Sequence, residues 1–391
     1  MIKRLLLLAV FSVSILGSVL GQKENNVKLR VYLRGLKSTK GTYFVRTKDN
    51  PRGKSVEFVI KDGKFNLQFR VEKPSIMYVN LKEEAVAKYM SPAKKSAYPT
   101  PLSFLVFIAS PNSDISVNGK ISDYVEGYPK GDKENNILSK LNRQIYPLMN
   151  KAMNIQYLLG DKTLSKSKVS RLNTAKKNIE KEIISVKKKF LRNNISSIIG
   201  LRTAAVLLDA GISLKEAPKF LSKIEDSYKG SSQYKVLMKR YEQLKGKAST
   251  AVGCIAPHIK TSNTKSGKEF DIKSLGNKYV LLDFWGTWCR YCVMALPDLK
   301  KFRDSHTDKF EVVSIAKEYG SLKTWRAFLK NHQYNWVQLY NGKGEFNYAK
   351  RFGVEGYPTF VLLSPKGKIL MREVGEGKDF FKKLEKIINK K

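Results

Sequence analysis

From about Asn26 to Lys120 the spacing of apolar and polar residues reads as a series of strands. The alternation is clearest in Val27-Lys28-Leu29-Arg30-Val31-Tyr32-Leu33, the period of a strand with one face buried. Ser55 to Ile60 and Phe65 to Val71 flank Lys61-Asp62-Gly63-Lys64, a hairpin signal. Ser75 to Leu81, Leu102 to Ala109 and Asp114 to Val117 continue the pattern, and the proline-bearing stretch from Ser91 to Pro101 is expected to be a loop or an edge. From Lys133 to Lys247 the period lengthens. Ile137, Leu141, Ile145 and Leu148 fall at helical spacing, Ile179, Ile183 and Ile184 sit in a lysine-rich amphipathic stretch, and Gly160, Gly200, Gly211 and Gly230 punctuate the segments. After Ala251 strand-like runs (Tyr279 to Phe284, Glu311 to Ala316, Thr359 to Ser364) alternate with helical ones (Val293 to Phe302, Leu322 to Asn331, Phe346 to Phe352, Phe380 to Asn389), the mark of an α/β unit with a central sheet. The expected fold is multidomain: a β-rich, sandwich-like domain at 22–125, an α-helical region at 126–247 and an α/β domain at 248–391.

Residues 1–21 have the layout of a signal peptide. Lys3 and Arg4 precede an apolar run from Leu5 to Leu16, and Gly17-Ser18-Val19-Leu20-Gly21 offers small residues for cleavage near Gly21–Gln22. The apolar run is short for a membrane span, which needs about 20 residues, so a cleaved signal is favoured over an uncleaved anchor. No cysteine follows the run, which argues against a lipid-anchored start. Export to the periplasm or cell envelope is therefore expected.

The formal net charge is +39, with lysine and arginine spread along the whole chain. Diffuse charge is first a matter of solvation. Its sharper reading is attraction to an anionic envelope surface; nucleic acid is not expected as a partner.

Only three cysteines occur, Cys254, Cys289 and Cys292, too few for a disulfide framework. Cys289 and Cys292 form a Cys-x-x-Cys between the apolar run ending at Phe284 and the helical pattern from Val293. That placement puts Cys289 at a helix N-terminus, where unpaired N–H groups and the helix dipole favour a thiolate. A thiolate attacks disulfides, and a second thiol two residues on can close on the first and release the product. The chemistry read from the residues is dithiol–disulfide exchange, carried by side chains without a cofactor.

The C-terminal third resembles the thioredoxin superfamily, in particular the TlpA/ResA-like envelope thioredoxins. The matching motifs are Gly253-Cys254-Ile255-Ala256-Pro257, the run Leu275 to Trp285, Trp288-Cys289-Arg290-Tyr291-Cys292, Pro297 and Gly353-Val354-Glu355-Gly356-Tyr357-Pro358-Thr359-Phe360. Pro358 lies 66 residues after Cys292, room for the extra strand–helix insert of that subfamily, which Ser314 to Tyr340 can supply. The strand-rich zone resembles a domain found ahead of such modules in Gram-negative envelope proteins, through Asp62-Gly63-Lys64-Phe65 and Val71-Glu72-Lys73-Pro74. The resemblance implies roles. Cys289 attacks, Cys292 resolves, and Asp283 matches a buried acid that accepts the Cys292 proton as general base. Pro358 follows a cis bond, and Trp288, Tyr357, Pro358 and Thr359 meet the client. It implies partners as well: cysteine- or disulfide-containing envelope proteins, apocytochrome thiols among them, and a membrane electron donor of thiol–disulfide type. Net reduction is the expected direction, with oxidase or isomerase activity as the alternative. Two departures bear on this. Tyr291 stands where many members have proline before the second cysteine, and Ala295 where many ResA-like members have glutamate.

Other readings weigh less. Cys254 and His258 with Cys289 and Cys292 formally make a Cys3His zinc set, but the tryptophan-flanked strand-to-helix placement suits redox work better, and no metal is expected. A peroxidase would need threonine three residues before its cysteine, and Thr287 is only two before Cys289. His258, His306 and His332 form no triad or metal spacing. Cys254 alone reads as a single buried or half-buried thiol, with redox sensing as its sharper alternative. A scaffold or binding protein with an accessory redox module is the reading from another class; an intact Cys289/Cys292 pair is what a pure scaffold does not need.

Overall fold

The computed structural model describes residues 25–45, 53–81, 104–122, 125–161, 163–319, 322–332, 334–377 and 379–389. The expected signal peptide at 1–21 and the loop from Ser91 to Pro101 lie outside the described residues. The succession of β-rich, helical and α/β regions is the one the sequence predicts. The chain divides into two compact units, Met1–Val186 and Lys187–Lys391.

The first unit holds strands β1 (Val27–Arg34), β2 (Lys40–Val45), β3 (Lys54–Val59), β4 (Lys64–Phe69), β5 (Ser75–Leu81), β6 (Phe104–Ala109), β7 (Ser113–Ile121) and β8 (Val125–Lys130), then helix α1 (Lys133–Leu158). They form two four-stranded sheets, ordered β4-β1-β7-β8 and β3-β2-β5-β6. β1 and β7 run parallel, and the other pairs are antiparallel. Strict alternation in β1 sends Val27, Leu29, Val31 and Leu33 inward, where they join Val79, Leu81, Leu105 and Phe107 of the second sheet in one core. α1 starts at Asp132, whose side chain accepts from Asn135 N, a cap of about 1 kcal/mol. The helix then bonds the sandwich directly: Asn135 exchanges hydrogen bonds with Ile108 N and O at 2.9 and 2.8 Å, and Asn142 donates to Gly127 O at 2.9 Å. The division between the units falls inside α2 (Lys166–Asn194).

In the second unit α3 (Ile198–Ala210), α4 (Ala217–Leu221), α5 (Asp226–Lys229) and α6 (Ser232–Ser249) precede the α/β part. That part comprises β9 (Lys260–Thr261), β10 (Phe270–Asp271), β11 (Tyr279–Trp285), α7 (Arg290–Asp304), β12 (Phe310–Ala316), α8 (Leu322–His332), β13 (Val337–Tyr340), α9 (Tyr348–Arg351), β14 (Thr359–Leu363), β15 (Ile369–Val374) and α10 (Phe380–Ile388). The central sheet is ordered β13-β12-β11-β14-β15, with β11, β12 and β13 parallel and β14 and β15 antiparallel. Both faces are covered, one by a core with Leu281, Leu296, Trp325, Phe360 and Leu384, the other by Leu282, Phe284, Val313, Phe352 and Val361. A doubly covered strand has no polar face, which is why β11 and β12 read as nearly unbroken apolar runs.

Helix α6 is fused to this part by close backbone approach. A Cβ on Gly246 would lie 2.4 Å from Lys350 O, and one on Gly353 (φ +58°) would lie 2.2 Å from Lys247 N. Thr250 Oγ1 donates to Gly246 O at 2.6 Å and approaches Phe352 O at 3.1 Å.

Candidate active site

β11 ends at Trp285 and α7 begins at Arg290, so Gly286 to Cys289 turn the chain from the sheet into the helix. The turn is tight: a Cβ on Gly286 would lie 2.5 Å from Trp288 Nε1 and 2.6 Å from Lys317 O. Cys289 is the N-cap residue of α7, extended at φ −93° and ψ 98°, and its Sγ accepts from Cys292 N at 3.3 Å. Sulfur thus stands where a capping oxygen usually does, facing the positive end of the helix dipole. Cys289 and Cys292 are joined as a disulfide with Sγ–Sγ 2.11 Å. Cys289 is 7% exposed and Cys292 2%, so the first sulfur is the more accessible. Pro297 lies within α7.

Asp283 sits on β11, two residues before its end, and is 2% exposed. The parallel register places Ser314 of β12 directly beside it. Ser314 Oγ donates to Asp283 Oδ2 at 2.9 Å, and the indole N–H of Trp336 donates to Ser314 Oγ at 2.9 Å. Burial pushes the Asp283 carboxyl up to about 7, against the pull of the Ser314 hydrogen bond. A carboxyl with that affinity gains and loses a proton near neutral pH, the property a general base for a thiol needs.

The remaining predicted residues converge on the same turn. The Tyr357–Pro358 bond is cis. Thr359 opens β14 and pairs with Phe284 of β11, beside the strand that feeds the cysteines. Trp288 lies edge-on to Tyr357 with centroids 5.5 Å apart. Thr359 is fully buried and its hydroxyl donates to Gly356 O at 2.7 Å, so it is not exposed to a client as the sequence predicts.

The family described as thioredoxin-like, Thioredoxin_8, matches residues 276–369. A thioredoxin-like protein of Haemophilus influenzae is 38% identical over 104 residues, 26% of this chain and 59% of that protein. Thioredoxin-like protein YneN of Bacillus subtilis is 32% identical over 114 residues, 29% of this chain and 65% of the relative. The thiol-disulfide oxidoreductase ResA of Bacillus thuringiensis is 26% identical over 126 residues, 32% of this chain and 70% of that one. Residues 276–369 are thus similar to thioredoxin-like proteins and, more distantly, to ResA. The chain spans 59% and 65% of the length of the first two relatives, and the matches lie within its last third.

Around the cysteine pair the structure adds residues that sequence reasoning missed. The segment after β12 clamps the turn: Glu318 accepts from Thr287 N at 2.9 Å and from Thr287 Oγ1 at 2.8 Å, and Trp288 Nε1 donates to Lys317 O at 2.7 Å. Tyr319 packs on Trp288 at 4.8 Å, so Tyr319, Trp288 and Tyr357 present three rings beside Cys289. Glu355, three residues before Pro358, is held by Lys247 at 2.8 Å and by Arg240, both from α6, and these cations keep its carboxyl below the usual carboxylate range. Glu318 lies 31 residues from Thr287 and carries no motif, so only the fold brings it to the cysteine turn.

Tyr291 is 75% exposed, so the residue in the usual proline position projects into solvent. Ala295 is buried, with no carboxylate in the place of the subfamily's glutamate. Cys254 and His258 are not gathered with the cysteine pair: among the described residues no group of three or more His, Cys, Asp or Glu is arranged to hold a metal. His258 Nε2 instead meets Asp271 Oδ1 at 2.7 Å, and Cys254 is a half-buried free thiol. Among the described residues no helix is long and apolar enough to cross a membrane.

Proposed function

We propose that the protein is an exported thiol–disulfide oxidoreductase that reduces disulfides of envelope proteins. One observation supports this above the others: two cysteines at the N-terminus of α7, with Cys289 as cap and Asp283 buried on the strand that leads to them. In the reduced protein the Cys289 thiolate attacks one sulfur of a client disulfide, forming a mixed disulfide and expelling the other client sulfur as a thiolate. Cys292 gives its proton to Asp283 and attacks Cys289 Sγ. The Cys289–Cys292 disulfide forms and the second client thiolate leaves. The client gains two electrons, the protein loses two, and a dithiol donor at the membrane restores the pair. An extended client segment pairs with the backbone beside cis-Pro358 and packs on Trp288 and Tyr357. The N-terminal Lys3-Arg4 and Leu5 to Leu16 pattern supports export to the periplasm, where clients with paired or apocytochrome thiols are found.

Two measurements test the reading. Cys292→Ser should trap clients as mixed disulfides on Cys289 that dithiothreitol releases, and Cys289→Ser should trap none. Equal trapping by both variants, or by neither, would sink the assignment. The equilibrium reduction potential, measured in a Cys254→Ala background, sets direction. A value near −270 mV, about that of thioredoxin, supports reduction, and one near −120 mV, about that of DsbA, makes the protein an oxidant. Tyr291 in place of proline is the observation that favours this second outcome, since the residues between the cysteines tune thiolate stability.

A further inference from the structure

On the β4-β1-β7-β8 sheet of the first unit lies a cavity of about 260 Å³. Its floor is Asn118 and Tyr128, neighbours in the β7–β8 register, and its walls include Arg34, Lys120, Lys130 and Arg143. Two of the four cations have fixed positions. The Arg143 guanidinium lies 4.6 Å from the centroid of the Tyr128 ring, and Lys120 Nζ is 3.7 Å from Glu126 Oε2. Glu126 is the carboxylate beside the cavity and is already engaged: Ser122, Asn150 and Tyr128 donate to it at 2.7, 2.6 and 3.0 Å. Asp114, further along β7, pairs with Arg30. Among the described residues no carboxylate pairs with Arg34, Lys130 or Arg143.

All four cations are exposed, and among the described residues only Lys120 has a carboxylate partner. Four cations line this one cavity with a single carboxylate beside it, and an anion bound there would relieve their mutual repulsion. A forked guanidinium held against a ring, opposite two ammonium groups, matches an oxyanion with several charged oxygens. We propose that this cavity binds phosphate-bearing ligands, with Arg143 as the fixed anchor and Arg34, Lys120 and Lys130 closing around the charge. The site lies in the unit without the cysteine pair and does not depend on the redox reading.

Calorimetric titration of the protein with inorganic pyrophosphate at low salt tests the proposal. Saturable binding at one site is expected, with Kd below about 1 mM. Arg34→Ala/Lys130→Ala, which removes two side chains that make no ion pair among the described residues, and separately Arg143→Ala should each weaken it about tenfold or more. The charge-matched control Lys166→Ala/Lys177→Ala on α2 should leave it unchanged. Equal loss in the control and the cavity variants would show general charge attraction and overturn the site, as would the absence of saturation. Phosphatidylglycerol vesicles that displace pyrophosphate from the wild type, but do not bind the cavity variants, would assign the phosphate to a lipid headgroup. Pyrophosphate binding without that competition would assign it to a soluble phosphate ester.

Discussion

Each unit buries a carboxylate, and the two have opposite fates. Glu126 in the first unit is 5% exposed and Asp283 in the second 2%. Burial raises the pKa of both. At Glu126 hydrogen bonds from Ser122, Asn150 and Tyr128 and the charge of Lys120 overrule that effect, and the carboxyl is held below the usual range. Asp283 receives a single hydrogen bond, from Ser314, and rises to about 7. Depth and the supply of donors act together: Asp283 lies deep in a doubly covered sheet with one donor, whereas Glu126 lies nearer the surface with three donors and a cation. The well-supplied acid ties α1 to the sheet through Asn150, and the starved one, on the strand that leads to the cysteine turn, is left able to take a proton.

The largest test of this contrast is Asp283→Asn. Between the unfolded value, 3.8, and about 7 the folded chain holds a proton that the unfolded chain has released. Stability of the second unit therefore falls as pH rises from about 4 to about 7 and is level above that. The full difference is on the order of 4 kcal/mol. Asparagine does not titrate, so the variant should be more stable than wild type at pH 8 by up to about that amount and should lose the advantage by pH 4. On the proposed mechanism its thiol exchange should be slower near neutral pH, Asp283 being the proton acceptor proposed for Cys292. All four tryptophans, Trp285, Trp288, Trp325 and Trp336, lie in the second unit, so urea unfolding followed by their fluorescence reads that unit alone. Parallel stability–pH curves for the two proteins would contradict a neutral buried Asp283.

Glu126 should respond in the opposite sense. Glu126→Ala strands Asn150, Tyr128 and Lys120 together and is expected to cost the first unit about 2–3 kcal/mol. Glu126→Gln keeps the shape and part of the hydrogen bonding and should cost less. Because its folded pKa is depressed, Glu126 stabilises the unit above the unfolded value of 4.5, and that contribution fades as pH falls through the folded value. Limited proteolysis across pH 3–7 measures this in a unit that has no tryptophan. Equal protease sensitivity of wild type and Glu126→Ala at pH 7 would remove the contrast.

The sequence disclosed one half of this picture and hid the other. The cysteine turn is legible because its parts are contiguous: an apolar strand, a glycine, two cysteines at helical spacing and a proline. Pattern reading locates β1, β11, β12 and α7 because burial on one or both faces fixes the period. β8 escapes it, since Gly127 and Pro129 interrupt the alternation and α1 covers the strand, leaving Val125, Glu126 and Gly127 all buried. β15 is hidden by Arg372 and Glu373 within a short run. The partners of Asp283 are not local. Ser314 lies 31 residues away and meets it only through the β11–β12 register, and Ser314 reads as one small polar residue in an apolar strand. Glu318 and Glu355 likewise gain their meaning from loops and from α6, which composition assigns to a separate helical stretch.

The smallest expected effect isolates that missing half. Ser314→Ala removes the one hydrogen bond that favours the charged form of Asp283 and leaves the buried Trp336 N–H without its acceptor. A hydrogen bond to a charged oxygen is worth about 1.5–3 kcal/mol, so the Asp283 midpoint should rise by about one to two pH units. The pH at which exchange reaches half its maximum should move with it, measured as the rate of dithiol closure after mixing the reduced protein with an oxidised peptide. Ser314→Thr retains the hydroxyl and should restore most of the wild-type profile. Trp336→Phe takes away the donor behind Ser314 while leaving the serine free to donate to Asp283, so it should lower stability with little movement of the midpoint. A midpoint that falls in Ser314→Ala, or that moves equally in Trp336→Phe, would mean that Ser314 acts through packing and that Asp283 is set by burial alone.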